Sequence, residues 1–193
     1  GISYKVLENI IFFPAMFVGL VMPLLSKYAL SDQDKFKFIF QKSFDILLII
    51  AIPVVAGIVL LAHPIILLIG GADFVVDAPL VLQILSIAIG IIFLGNLFGN
   101  SIIALGRQKI AAWIYGGGAI LNVILNIIFI PKYSYYGAAI TTIFTEIFVT
   151  ALMVILIYKT IKFLPNLMVA LKSLAGAIVM YLILYFFHLI LQV

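Results

Sequence analysis

The residue in this chain best placed to do chemistry is Glu146. It sits about nine residues into an apolar run, roughly 13 Å along a helix that would begin at Gly137. An ionised carboxylate at the bilayer centre costs about 2.5–3.5 kcal/mol on insertion scales, and the Ile, Leu, Val and Phe around it offset about 0.3–0.6 kcal/mol each. Such a helix still inserts, with Glu146 turned toward protein or a water-filled cavity. There it could bind a coupling proton or cation, or, protonated or hydrogen-bonded, it could join its helix to a neighbour. Asn122 and Asn126, four residues apart, stack on one side of the preceding helix and offer that neighbour a face. Thr141, Thr142 and Thr145 add hydroxyls within about a turn of Glu146. Interhelical hydrogen bonds of this kind are worth around 0.6 kcal/mol each.

A second polar group opens the chain. Lys5 and Glu8 lie one turn apart with Asn9 beside them. They could pair at i, i+3 for a few tenths of a kcal/mol; Lys5 could snorkel to the interface or line a cavity mouth and meet an anionic substrate. Asn96 and Asn100 lie beside Gly95 and Gly99, and this small-xxx-small spacing reads as close helix packing. Gly116-Gly117-Gly118, in an apolar helix, reads as thin packing or a hinge. His63 and His188 have no metal-ligand spacing around them. Neither a nucleophile motif, a phosphate-cradling glycine loop nor a carboxylate pair is present. The expectation is a protein that is not an enzyme and needs no cofactor or metal.

The elements that must position these residues follow from composition. Hydrophobic residues make up 66% of the 193 positions and charged residues 9%, with mean hydropathy +1.37. A soluble domain is about half apolar and roughly a quarter charged, so lipid must be much of this chain's solvent. The net charge of +4 does not point to nucleic acid, because the basic residues are scattered between apolar runs rather than gathered in a stripe. Cysteine is absent, which excludes disulfides and thiolate metal sites.

The pattern predicts an all-α, polytopic bundle of about six transmembrane helices, over residues 4–25, 44–69, 80–105, 110–130, 137–158 and 167–191. Each run is long enough, at about 1.5 Å per residue, to cross a hydrocarbon core of about 30 Å. Pro14, Pro23, Pro53 and Pro64 each remove a backbone donor and invite a kink in the first two helices. The longest break, 26–43, holds a capping-box-like Ser31 and Asp34. It also interleaves Phe36, Phe38 and Phe40 with lysines, suggesting a short helix on the inner leaflet or an ordinary interfacial belt.

Nine of the eleven basic residues fall in or beside the segments 26–43, 105–110 and 159–168, leaving Lys5 and Lys132 at the other end. The positive-inside rule places those three segments in the cytoplasm. The first helix then descends from outside, and an odd number of helices is expected to precede it. With an opening Gly1-Ile2-Ser3 that runs straight into an apolar helix, the chain is expected to be a fragment of a longer polypeptide.

Several stretches carry a family resemblance. Ala104-Leu105-Gly106-Arg107-Gln108-Lys109, Leu121-Asn122-Val123-Ile124-Leu125-Asn126, Ile130-Pro131-Lys132-Tyr133 and Gly137-Ala138-Ala139-Ile140-Thr141 follow one another in order. With Tyr4-Lys5-Val6-Leu7-Glu8, Phe13-Pro14, Pro23-Leu24-Leu25-Ser26-Lys27, Pro53 and Gly71-Ala72-Asp73-Phe74, they resemble the C-terminal lobe of polysaccharide flippases. These are the Wzx-type members of the multidrug/oligosaccharidyl-lipid/polysaccharide exporter superfamily. The resemblance covers nearly the whole chain and is looser in the last helix.

It implies one partial lobe, spanning residues 1–193, of a two-lobed transporter fold whose N-terminal lobe belongs to the same polypeptide. The implied activity moves an undecaprenyl-diphosphate-linked oligosaccharide across the bacterial plasma membrane for cell-surface polysaccharides such as O-antigen. The sugar and diphosphate would pass through a hydrated cavity while the lipid tail stays among the membrane lipids. Lys5 matches a basic position that faces this cavity in the family, with Glu8 and Asn9 beside it as substrate contacts. Glu146 matches a frequent family acid. Two further readings stay open: a multidrug antiporter coupled through an acid such as Glu146, and a non-transporting membrane scaffold.

Overall fold

The computed structural model describes residues 1–191, with side chains to residue 183. His188 lies outside the described side chains. The helices are α1 (Ile2–Ser31), α2 (Gln33–Gly70), α3 (Ala78–Ala104), α4 (Gln108–Ile161) and α5 (Met168–Leu191), with a single 3-10 turn at Ala72–Phe74. The first four are long and apolar enough to cross a membrane. The longest, α4, abandons helical geometry at Ser134 (φ 51°, ψ −133°), so it consists of two arms, 108–133 and 135–161. Each arm alone could cross a core of about 30 Å, and with them the chain has the polytopic helical bundle its hydropathy predicts.

The helices alternate in direction, as hydrogen bonds at both ends of the bundle record. At one end the side-chain amide of Gln41 on α2 holds the 162–167 junction, donating to the Asn166 carbonyl (3.2 Å) and accepting from the Asn166 N–H (2.7 Å). At the other end Ser3 donates to the Ala78 carbonyl (2.9 Å), and Tyr136, just past the bend, approaches Asp77 at 3.4 Å. The central element is α3, which packs against α1, α2 and α4, while α5 lies on α2. Accordingly Leu82, Leu85, Ile89, Phe93, Leu97 and Ile102 of α3 are all essentially removed from solvent.

The helix ends differ from expectation in two places, and at one of them the expected break over 131–136 narrows to Ser134. The expected break over 26–43 shrinks to Asp32, because α1 runs on to Ser31 and α2 starts at Gln33. Phe36, Phe40 and Phe44 recur every four residues and therefore share one face of α2. All three are buried, and Phe40 meets Phe98 edge-on at 5.2 Å and Phe163 at 6.4 Å. Three of the segment's aromatics are thus core, while Phe38 stays exposed with the Lys42 ammonium over its ring. The capping box is also displaced: Ser31 donates back to the Lys27 carbonyl, and Asp32, extended at φ −157°, accepts from the Lys35 N–H at 3.0 Å. The end of α3 follows its sequence closely. Gly106 (φ 74°) lets its own N–H reach the Ile103 carbonyl and the Arg107 N–H reach Ile102, a Schellman closure.

Asp32 carries a pH dependence. The Lys35 N–H, helped by the Lys35 ammonium at 3.0 Å, holds its carboxyl below the ordinary carboxylate range. A depressed folded-state value stabilises the fold above the ordinary value and is lost as pH falls through the folded one. Asp32→Asn keeps the cap and should flatten the acid side of the melting-temperature profile, whereas Asp32→Ala should lower the melting temperature at neutral pH. Superimposable profiles for all three proteins would remove this role.

Candidate functional site

The side chains that could act fall into three groups. The first is a stripe along α1. Lys5, Glu8 and Asn9 are exposed, and the stripe continues through Phe12, Met16, Leu20 and Leu24 to Lys27. These positions step by three or four residues and so form one helix face, the face not used in packing on α2 and α3. The Lys5–Glu8 pair does not form: among the described residues the ion pairs are Lys35–Asp32 and Lys37–Asp34. Asn9 instead donates to the Lys5 carbonyl at 2.8 Å. With the helical spacing right, the two charged side chains remain apart because both are free in solvent, where a pair gains little.

The second group is the seam between the arms of α4. Asn126 donates to Asn122 Oδ1 (2.8 Å) and accepts from the Thr141 hydroxyl (2.6 Å), and Asn122 donates to Thr145 Oγ1 (3.1 Å). Each step of four residues forward on one arm meets a step of four back on the other, the register of an antiparallel hairpin. Glycines at both ends allow the approach. Gly118 faces Val149, and at Gly137 a Cβ would fall 2.6 Å from the Phe129 carbonyl oxygen. Gly116 and Gly117 have nothing within 4 Å of such an atom. The glycine run is therefore a packing site at Gly118 and not a hinge; the bend is at Ser134. Asn126→Leu should lower stability by about 1 kcal/mol, the sum expected for two such bonds in a bilayer, read as a fall in detergent melting temperature. An unchanged melting temperature would show that the seam is held by packing alone.

The third group surrounds Glu146, which the seam does not include. It lies on the next face of its arm and opens on a cavity of about 170 Å³ lined by Ile92, Gly95, Asn96, Tyr115, Val149 and Thr150. Here Gly95 and Gly99 of α3 act as their spacing predicts. A Cβ on Gly95 would meet Thr150 Oγ1 at 2.8 Å, and one on Gly99 would collide with the Tyr115 hydroxyl. The asparagines of α3 turn their amide nitrogens inward along the helix, Asn96 to the Ile92 carbonyl and Asn100 to that of Asn96. Tyr4 of α1 adds a bridge to Thr142 at 3.2 Å. Sequence reading missed Tyr115 and Thr150 as companions of Glu146. Thr150, four residues on, was open to inference; Tyr115, on another arm, was not.

Among the described residues no group of three or more His, Cys, Asp and Glu could hold a metal ion.

The family described as "Lipid II flippase MurJ" matches residues 9–193 of this chain, so Lys5 and Glu8 lie just ahead of the matched stretch. No curated protein matches. A solved structure titled "Lipid II flippase MurJ, inward closed conformation" is similar over 95% of this chain with a TM-score of 0.75 and 20% identity. At that identity the likeness is one of fold. The chain spans 41% of that structure's length.

Proposed function

Because this chain belongs to the lipid II flippase MurJ family, we propose that it is part of a transporter that carries a lipid-linked cell-envelope precursor across the bacterial plasma membrane. The substrate class we assign is a polyprenyl-diphosphate-linked saccharide. Within that class the family match favours a lipid II-type precursor over the O-antigen type of oligosaccharide that the sequence resemblance implied. The segment 1–193 is then part of the C-terminal lobe, and the N-terminal lobe supplies the facing wall. The basic segments 26–43, 105–110 and 159–168 face the cytoplasm, consistent with the helix junctions that Gln41 and Asn166 tie together at one end.

One observation carries the reading of the site: α1 spends its packing faces on α2 and α3 and leaves a face with Lys5, Glu8 and Asn9 uncovered. At a cavity wall the Lys5 ammonium suits a diphosphate, with the Asn9 amide beside it and the Glu8 carboxylate a turn away for donors of the sugar, and a diphosphate cannot enter hydrocarbon without a cost far above that of a single side-chain charge. The lipid tail needs no such route, since it is already in its preferred solvent. The hydrophilic head crosses along the wall while the two lobes rock. In this scheme Asn122 and Asn126 hold α4 folded on itself and touch no substrate.

The experiment is depletion of the intact protein in cells fed a labelled precursor. Label reachable by a membrane-impermeant reagent at the outer face should fall, with precursor accumulating inside. Running it with lipid II and with an O-antigen-type precursor separates the two substrates. Undiminished outward exposure of both would end the proposal.

A further inference from the structure

Three consecutive residues near the start of α1 take three different directions, since successive side chains on a helix are turned by about 100°. Ser3 is buried and donates to the Ala78 carbonyl at the start of α3 (2.9 Å). Tyr4 is half-buried and meets Thr142 Oγ1, on the second arm of α4, at 3.2 Å. Lys5 is exposed on the wall with Glu8 and Asn9. We propose that Tyr4, held by Thr142, is a positioning residue: it sets the direction in which Lys5 offers its ammonium to the diphosphate, and touches no substrate itself. The inference rests on Lys5 being a substrate contact.

The proton count at Thr142 fixes the sense of the Tyr4 bond. A threonine hydroxyl carries one proton and accepts through its lone pairs. Thr142 commits that proton to the Ala138 carbonyl at 2.9 Å, one turn back on its own arm. Tyr4 is therefore the donor. Phenol, threonine hydroxyl and backbone carbonyl form one chain that ends on main-chain atoms rather than on a movable side chain. Gly137, next to Ala138, lies against the Phe129 backbone, so the anchor belongs to the packed hairpin of α4.

The remaining contacts of α1 leave its rotation soft. Val6 and Leu7 are buried beside Ser3, but apolar burial is non-directional. Hydrogen bonds are directional. Those of Ser3 and Tyr4 leave α1 about 100° apart and so fix its rotation at this end. Among the described residues the Tyr4 bridge is the sole hydrogen bond from α1 to α4, and α1 otherwise packs on α2 and α3. The Lys5 side chain has no ion-pair partner among the described residues, so its own backbone is what aims it. Holding that backbone in place lowers the ordering cost of a contact to phosphate.

The test is binding of undecaprenyl diphosphate to the purified intact protein in detergent. Lys5→Ala should weaken binding roughly 10- to 100-fold, the scale of a charge-assisted contact. Tyr4→Phe removes one oxygen and should weaken it about threefold, the scale of one interhelical hydrogen bond. Thr142→Val should do the same and serves where Tyr4→Phe does not fold, while Thr142→Ser, which keeps the hydroxyl, should bind as wild type. The two losses should not add when Tyr4→Phe and Thr142→Val are combined. The decisive comparison is made in the Lys5→Ala protein. There Tyr4→Phe should have no further effect, whereas a bridge that only holds the helices together weakens binding by the same factor as before. A full threefold loss in that background, or wild-type binding by both Tyr4→Phe and Thr142→Val, overturns the positioning role and leaves Lys5 a contact. Wild-type binding by Lys5→Ala instead overturns the reading of Lys5, and the role of Tyr4 with it.

Discussion

Replacing Gly137 with leucine is expected to lower stability by about 3 kcal/mol or more, at the upper end of overpacking costs. The neighbours of a Cβ at this position are the Phe129 carbonyl oxygen at 2.6 Å, its carbon at 2.8 Å and the Ile130 nitrogen at 3.1 Å. All three are backbone atoms, so no side chain can swing aside. The arms of α4 must separate, and the seam bonds Asn126–Thr141 and Asn122–Thr145 lengthen with them. The readout is the fraction of protein that stays monodisperse in detergent after heating. Gly117→Ala is the matched control: a Cβ there meets nothing within 4 Å, and alanine gains up to about 1 kcal/mol of helix propensity. If both variants melt alike, the close approach at Gly137 does not hold the hairpin.

Charge reversal at Lys5 is expected to cost transport rather than fold. The side chain is exposed and has no ion-pair partner among the described residues, so Lys5→Glu should leave the melting temperature within about 0.5 kcal/mol equivalent of wild type. A charge-assisted contact to a diphosphate is worth about 1.5–3 kcal/mol, which corresponds to roughly 10- to 100-fold in precursor translocation; reversal adds repulsion to that loss. Lys5→Arg should retain most activity, since arginine also pairs with phosphate oxygens. The measurement is rescue of growth on depletion of the native copy, with membrane levels of each variant quantified. Full rescue by Lys5→Glu would remove this residue from the substrate path.

The two residues differ in how visible they were. Lys5 stood out because a cation in an apolar run is conspicuous, and its exposure on one face of α1 follows from helical spacing. Gly137 was noted as one residue of a family-like stretch, and nothing local distinguished it from Gly116 or Gly117. The capping signal beside Ser31 pointed to the right turn of chain but to the wrong residue, since Ser31 bonds back within α1 while Asp32 takes the cap. The aromatic run from Phe36 to Phe44 read as interfacial because lysines alternate with it, and of its members Phe38 does stay exposed among them. In the folded chain the lysines ride the outer face of a continuous helix, and Phe36, Phe40 and Phe44 enter the core.

What the sequence by itself determined is which segments seek lipid, and that nearly all the bases cluster at one set of helix junctions. Both are properties of composition summed over about 20 residues, where the transfer free energy of each side chain adds to the next. It also set which polar residues would need a partner within the bilayer. Only the tertiary structure decided who those partners are. Asn126 finds Thr141, and Glu146 shares a cavity with Asn96, Tyr115 and Thr150, because each helix is fixed in rotation about its own axis. That rotation is chosen where a glycine admits a neighbour, the side chains of Thr150, Tyr115 and Val149 at Gly95, Gly99 and Gly118 and the backbone of Phe129 at Gly137, and such contacts depend on two segments at once.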